Sequence, residues 1–547
     1  MNGVPEEAAA IGKLWLEAKS ARQSGNLAAS TEHLRRALAI APDNPLILRQ
    51  LAVQLRHAGA LQEALALLEP ALPLAIEHPD LALTLADCLL QQGGPRAALA
   101  TLDYVLRQRG DQPAELLLGK ARLHYMQHEF PAAEAALRDV VRQSPQRAEA
   151  WSLLSAIAIE LGRDEEAGTA SRLALKIDPK QVIALGTKGQ LAAEAGDSDA
   201  ARHFFDRALA LEPDNARIHY MLGLLDLSLG NYAAGWRGFA WRHRVTPRIA
   251  ADFSYGLPAW QPAETAPQGR LLIWGEQGIG DEIMFAGMVS GLLVREVRPL
   301  LLTDPRLAPL FSRSLPGIDV AARHPGFAPR SEGITRQIAA GDLGALLRPD
   351  RAAFPVRSRY LAADPARVRH FRAKYAELAR GNKLVGIAWR SSNAAQGPYK
   401  SLALDDFAPL LRQPGCCFIN LQYGNNAAEI AALRETHGLV LHDDDEVDPL
   451  RSLEDQAAQI AALDCVVSTS NSAVHLAGAL GVPTWLLLPH RGRGVQWYWG
   501  QAGAETPWYS SLRLLRSAAS ETLAVQLQRR MAEFAAWLAD FRAVTAN

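Results

Sequence analysis

The stretch LALEPDNARIHYMLGLLDLSLGNYAAGW, residues 209–236, decides how the first half of the chain folds. Small residues at Gly223 and Gly235 alternate with large ones, and the turn-forming Pro213-Asp214-Asn215 precedes them. One period earlier the same small positions are Gly189 and Ala201, while Ala208 is followed 34 residues later by Arg242, which breaks the pattern. Prolines that close alanine- and leucine-rich stretches recur at Pro79, Pro113, Pro145, Pro179, Pro213 and Pro247, with separations of 34, 32, 34, 34 and 34. A period near 34 marks one helix–turn–helix unit, and about seven such units fit between residues 11 and 247. A single unit cannot bury its own apolar face. Neighbours therefore stack into a superhelix whose inner groove is lined by the first helix of each pair.

The chain as a whole is of ordinary globular composition: 547 residues, 49% hydrophobic, 21% charged, formal net charge −1. That length calls for several folded units. Clustered Lys and Arg with interleaved aromatics are missing, so a nucleic-acid partner is not expected. No apolar run is long enough to span a bilayer, and the start MNGVPEEAAAIGKLW has no secretory pattern; a cytoplasmic location is the expectation. Cys88, Cys416, Cys417 and Cys465 suit neither a disulfide framework nor a zinc site and read as buried thiols.

After Trp241-Arg242-His243-Arg244 the helical period stops, and FSYGLPAWQPAETAPQGR places a domain boundary near residue 250. LLIWG followed by EQGIGDEIMFAGMVSGLL reads as strand, loop and helix. Further strands are expected at 298–303, 384–389, 416–421, 438–442, 464–468 and 483–488, with a linker around 358–383. Such alternation implies parallel sheets with ligands at the carboxyl ends of the strands. The expected domains are a helical solenoid over 1–250, one nucleotide-type lobe over 251–370 and a second over 371–547.

Three segments carry candidate chemistry. In Gly275-Glu276-Gln277-Gly278-Ile279-Gly280-Asp281 the glycines allow a tight turn that brings a carboxylate to a helix start. Asp281 there suits a general base for a hydroxyl proton, and equally a plain helix N-cap. In WRSSNAAQGPYKSLALDDF, Arg390 and Lys400 flank a polar loop and suit phosphate, or are solvated surface cations. CVVSTSNSAVHLAGALGVP reads as strand, Ser/Thr/Asn loop and helix, where free N–H groups and the hydroxyls of Ser468, Thr469, Ser470 and Ser472 favour an anion. His475 lies in that helix's first turn, as a donor to phosphate or sugar or as a packing residue. The acidic run Asp443-Asp444-Asp445-Glu446 reads as a solvated loop rather than a metal site. The aromatics of WYWG and PWY read as packing, with a stacking wall as the alternative.

The stretch 209–236 resembles the tetratricopeptide-repeat family. WGEQGIGDEIMFAG, VGIAWRSSN, YKSL, INLQYG, NSAVHLAGALGVPTWLLLP, WYWG and PWYSSLRL, in that order, resemble glycosyltransferases of the GT-B fold. The likeness is to bacterial flagellin glycosyltransferases with tetratricopeptide repeats ahead of the catalytic lobes. It extends to heptosyltransferases of lipopolysaccharide synthesis and to the eukaryotic enzymes that place N-acetylglucosamine on proteins. The resemblance implies Asp281 as base and Lys400 at the donor phosphate. It also implies a donor site that includes Gly278, Gly280, Arg390, Gln422, Ser470, Asn471, Ser472 and His475. Ser470 stands where heptosyltransferases carry an aspartate, so the donor sugar is not carried over. The expectation is an all-α tetratricopeptide solenoid followed by an α/β GT-B pair of Rossmann-like lobes. Its activity would be that of an inverting, metal-independent protein O-glycosyltransferase without a cofactor. It would take a nucleotide-sugar donor and hold an acceptor protein, flagellin by the resemblance, in the repeat groove. A transferase for surface glycans and a non-catalytic scaffold are the rival expectations.

Overall fold

A computed structural model describes residues 4–245, 255–261, 267–356, 359–393 and 396–540. Pro247 and the boundary expected near residue 250 lie outside the described residues, as do Ala394 and Ala395 of the polar loop. The chain divides into two compact units, Met1–Lys188 and Gly189–Asn547.

The described helices up to residue 239 form seven consecutive pairs: α1 (Val4–Gln23) and α2 (Leu27–Ile40); α3 (Pro45–His57) and α4 (Leu61–Leu68); α5 (Pro79–Gln91) and α6 (Pro95–Arg109); α7 (Ala114–Met126) and α8 (Phe130–Gln143); α9 (Ala148–Glu160) and α10 (Asp164–Ile177); α11 (Val182–Ala195) and α12 (Ser198–Leu211); α13 (Ala216–Ser228) and α14 (Tyr232–Phe239). The turn inside every pair contains one residue in the left-handed region: Gly25, Gly59, Gly93, His128, Gly162, Gly196 and Gly230. Glycine takes that conformation without a Cβ clash, and so ends the first helix sharply enough for the second to fold back. Pro70 and Pro73 cut α4 short, and a 3-10 turn over Leu72–Ile76 fills the rest of its repeat. The division at 188/189 falls within α11, so α12, α13 and α14 belong to the second unit.

That unit also holds two parallel sheets. The first contains β1 (Arg270–Trp274), β2 (Arg298–Thr303), β3 (Asp319–Ala322) and β4 (Ile334–Ala339) in the order β3-β2-β1-β4, with α15 (Ile279–Val289), α16 (Ala308–Ser314) and α17 (Leu343–Leu347). Where a linker was expected around 358–383, the chain instead forms α18 (Pro365–Ala379). Asp364 starts it by accepting from the N–H groups of Ala366 and Arg367, with Pro365 pre-set at the first position. The lobe boundary expected near residue 370 lies inside this helix.

The second sheet runs β6-β5-β7-β8-β9, all parallel, from β5 (Lys383–Ala388), β6 (Cys416–Asn420), β7 (Cys465–Thr469), β8 (Thr484–Leu488) and β9 (Leu512–Arg516). Its helices are α19 (Gly397–Lys400), α20 (Ala408–Leu411), α21 (Ala427–His437), α22 (Leu453–Ala461), α23 (Ser472–Leu480), α24 (Leu523–Arg529) and α25 (Met531–Asp540). The strand expected at 438–442 is a single bridge from His442 to Ile419. Beyond it Lys374 and Tyr375 hold Asp444, which turns the chain away from the sheet. Strand order reverses between β1 and β4 and between β5 and β7, and such switch points open crevices at the strand ends. Helices α15 and α23, one from each sheet, pack against each other. One apolar core joins them to the last repeat through Trp236 and Phe239.

Candidate active-site cleft

The loop after β1 begins with Gly275, continues through Gln277 at φ 62°, and reaches α15 at Gly278, its N-cap. Asp281 is therefore not the cap residue. It sits at the third helical position and reaches back to accept from the Gly278 N–H at 3.1 Å, one half of a capping box. Glu276 is buried and accepts from the Gly341 N–H at 2.9 Å and from Arg242 Nε at 2.8 Å. Arg242 also donates to Asp342 at 2.6 Å and lies 4.2 Å over the Phe239 ring. Burial works against its charge, but Asp342 and Glu276 outweigh that and hold it above the usual arginine value. The residue that broke the repeat pattern is thus the one that anchors the glycine loop.

On the second sheet, the ends of β5, β6 and β7 gather the remaining candidates. The Gln422 carbonyl accepts from the backbone N–H groups of Trp389 at 3.0 Å and Arg390 at 2.9 Å. Its amide orientation is thereby fixed, and Nε2 is left as a buried donor with no partner among the described residues. The Arg390 guanidinium is engaged by Glu429 and Asn426. Asn471 caps α23, accepting from Ala473 N–H at 3.1 Å, and Ser472 opens the helix. Ser470 accepts from the Trp499 indole N–H at 2.9 Å. Lys400 is only 6% exposed, and its amino group has no hydrogen-bond or ion-pair partner among the described residues. Burial lowers its pKa, and the nearby Asp281 charge partly restores it.

The first turn of α15, which carries Gly280, and that of α23, which carries His475, lie against each other. A side chain on Gly280 would bring its Cβ to 2.7 Å from His475 Cδ2 and 3.1 Å from Nε2, so only glycine fits there. His475 is buried, contacts the Tyr509 hydroxyl through Nδ1 at 2.9 Å, and is wedged among the rings of Tyr498, Trp499 and Tyr509. Burial, helped by the Lys400 charge, lowers its pKa to about 3, so the imidazole is neutral. Asp281 is raised to about 6. Burial is the main cause; the Gly278 N–H opposes it, the Glu276 charge adds to it and Lys400 again opposes. Lys400 is thus close enough to both Asp281 and His475 to perturb each of them. Gly278 and Gly280 shape that junction, whereas Arg390, Gln422, Asn471 and Ser472 line the β5–β7 side.

Tyr498 and Tyr509, expected as packing residues or as a stacking wall, are buried around His475 and feel the Asp281 charge; so does the hydroxyl of Tyr220 of α13, which no sequence motif marks. The only signal for the aromatic wall was the density of Trp and Tyr in 497–509. Cys88, Cys417 and Cys465 are buried thiols, and Cys416 is half-buried. In the acidic run, Asp444 accepts from Lys374 at 2.8 Å and Tyr375 at 2.7 Å, and Glu446 from Lys374 at 2.7 Å. Among the described residues no group of three or more His, Cys, Asp or Glu is arranged to hold a metal ion. No helix among them is long and apolar enough to cross a membrane.

Tetratricopeptide-repeat profiles match residues 16–79, 118–182 and 187–235, and a second profile of that description matches 55–123. Protein FlbA of Caulobacter vibrioides is 31% identical over 425 residues, which cover 68% of this chain and 70% of the relative. Among solved structures, a tetratricopeptide repeat protein from Parabacteroides merdae is similar at 18% identity and TM-score 0.36, over 42% of this chain and 91% of that one. PilW, a type IV pilus biogenesis factor, is similar at 19% identity and TM-score 0.34, over 39% and 98%. YrrB, a repeat protein with an unusual peptide-binding site, is similar at 18% identity and TM-score 0.27, over 34% and 96%.

Proposed function

The chain belongs to the family of Protein FlbA, and from the cleft described above we propose that it is an inverting GT-B glycosyltransferase. In this reading it moves a sugar from a nucleotide donor to a Ser or Thr hydroxyl of an acceptor protein held by the repeats. The observation that carries the reading is a carboxylate of raised pKa near a buried lysine that has no hydrogen-bond or ion-pair partner among the described residues, beside the contact between helices of two parallel-sheet lobes.

The acceptor oxygen attacks the anomeric carbon from the face opposite the nucleotide, and the bond from that carbon to the phosphate oxygen breaks. Asp281 takes the hydroxyl proton as the attack proceeds. Lys400 and the amino end of α23 meet the negative charge that grows on the departing phosphate, without reorganising at the moment of reaction. Gln422 Nε2, a buried donor still to be satisfied, suits an acceptor atom of the nucleotide. Flagellin as the acceptor rests on the sequence resemblance, and protein binding by the repeats on their groove-forming stack.

The test is isothermal titration with a panel of nucleotides and nucleotide sugars, followed by mass spectrometry of candidate acceptors co-expressed with wild type or Asp281→Asn. Nucleotide binding by both proteins, with modification by wild type alone, is expected. Failure of every nucleotide to bind favours the scaffold reading.

A further inference from the structure

Helix α19, which ends in Lys400, is a single turn, Gly397–Lys400. A helix that short has no stability of its own, so its position is set by what packs against it. The connection from β8 to β9 supplies that packing. Gly494 lies directly on the Tyr399 carbonyl: a Cβ there would be 2.6 Å from that oxygen and 2.7 Å from Pro489 Cγ. Arg493 reaches over the Tyr399 ring, 5.7 Å from its centroid, and the Gln496 amide donates to Gln396 Oε1 at 2.7 Å. The same segment is fastened on its other side to the last two helix pairs of the repeats. Arg493 Nε is 3.3 Å from Glu194 Oε2 of α11, with the two side chains only 11% and 18% exposed, and Gln190 donates to the other Glu194 oxygen at 2.9 Å. Arg491 donates to the Ala195 carbonyl at 2.7 Å. Gln501 accepts from the Ser198 hydroxyl at 3.2 Å and donates to the Ser228 hydroxyl at 3.0 Å. Residues 491–501 are therefore a clasp between the repeats and the turn that bears Lys400. An ion pair as sheltered as Glu194–Arg493 resists opening, because either charge left alone there is costly.

We propose that Arg493 and Gly494 are positioning residues for Lys400, and that Glu194 of the repeats acts through Arg493 to keep the Lys400 ammonium in its buried place. The use of that ammonium at a nucleotide phosphate rests on the transferase reading, whereas its placement by the clasp rests on the protein's own contacts.

Amine labelling of the full-length protein tests the placement directly. The chain is treated with a limiting amount of an acetyl N-hydroxysuccinimide ester, and the acetylation of each lysine is measured by mass spectrometry. Lys13, whose side chain is 78% exposed, is the reference for reagent, and Lys374, held by Asp444 and Glu446 elsewhere in the same unit as Lys400, is the control for general loosening. Lys400 should react slowly in wild type. Arg493→Met and Gly494→Ala should raise its labelling roughly three- to tenfold relative to Lys13 while Lys374 stays unchanged. Glu194→Gln, the mildest change, should move Lys400 in the same direction and carries the test should the other two fold poorly. Unchanged Lys400 labelling in the folded variants, or an equal rise at Lys374, overturns the proposal.

Titration with uridine, guanosine and adenosine diphosphates and cytidine monophosphate reads the consequence for a ligand. Arg493→Met should weaken the nucleotide that binds roughly fivefold and have no further effect in a Lys400→Ala background, since it acts through that lysine. An equal loss in both backgrounds overturns action through Lys400. Binding by none of the four overturns the transferase reading, while the labelling experiment judges the clasp separately.

Discussion

Burial and the Glu276 charge disfavour the ionised form of Asp281, with the Gly278 N–H and Lys400 opposing them, and the balance leaves its pKa at about 6. An unfolded chain would ionise this carboxyl near 3.8. Between those values the folded state binds the extra proton, so stability falls as pH rises from about 4 through about 6, and the full penalty persists above. Asp281→Asn removes that penalty while keeping an oxygen that can cap Gly278. The variant should match wild type near pH 4 and exceed it by about 1–2 kcal/mol at pH 8, a figure discounted because the side chain is half-buried. Thermal unfolding at the two pH values checks it. Turnover should fall by about 10²–10⁴, and wild-type turnover should climb with pH through about 6; a flat profile with an active Asn variant removes Asp281 as the base. Lys400→Ala should weaken nucleotide affinity at least tenfold, since it removes the buried cation proposed to face the phosphate while the Arg390 guanidinium stays engaged by Glu429 and Asn426. Titration measures this, and an unchanged Kd argues against a phosphate contact.

The helices meet so closely at several glycines that one methyl group would separate them. A Cβ on Gly223 would lie 2.5 Å from Phe239 N, because α13 and α14 touch backbone to backbone, whereas Gly189 meets only the Phe205 ring. Gly280→Ala would push α15 from α23 and should cost about 1–3 kcal/mol along with most of the activity; calorimetry beside an activity assay checks both. These small positions were legible in the sequence because a close approach leaves glycine or alanine as its signature. The prolines gave the repeat period less directly than the left-handed turn residues do. His128 shows why those were overlooked: it holds the turn at φ 61° without being glycine. His128→Gly should therefore stabilise the first unit by about 0.5–1 kcal/mol, seen as a raised unfolding midpoint. Central strands such as β2, β7 and β8 read clearly as apolar runs because helices cover both their faces. The strands that the sequence hid, β3, β4 and β9, are all at sheet edges, where Thr335-Arg336-Gln337 or Arg513 and Arg516 can remain polar. Helix α18 was hidden by its charge, although Asp364-Pro365 is a start signal. The His475–Tyr509 contact left no trace, since its members are 34 residues apart.

A cut made at the texture change near residue 250 would remove more than a repeat arm. Trp236 and Phe239 of α14 lie in the same core as Ile283, Phe285 and Leu343 of the first lobe, and the Trp236 indole donates to the Arg348 carbonyl at 2.8 Å. Arg242, just beyond, neutralises Glu276 and Asp342 inside that lobe. Arg491 and Gln501 of the second lobe reach the Ala195 carbonyl and the Ser228 hydroxyl. Removing residues 1–250 therefore strips two large aromatics from a core and leaves Glu276 buried without its countercharge, a loss of several kcal/mol from each cause. Residues 178–547, which keep α11 whole together with α12 to α14, should fold with a cooperative transition and bind nucleotide like the full chain. Residues 251–547 should be recovered aggregated or without a cooperative transition. The subtler version is Arg242→Met in the full chain, which should cost about 3–5 kcal/mol and lower turnover because the loop bearing Asp281 loses its anchor. Adding Glu276→Gln should recover part of the stability. If residues 251–547 fold and bind as well as 178–547, the last repeat is no more than a neighbour of the lobes. If they do not, any partner protein held by the repeats is held by a stack whose final pair is part of the unit that carries the two sheets.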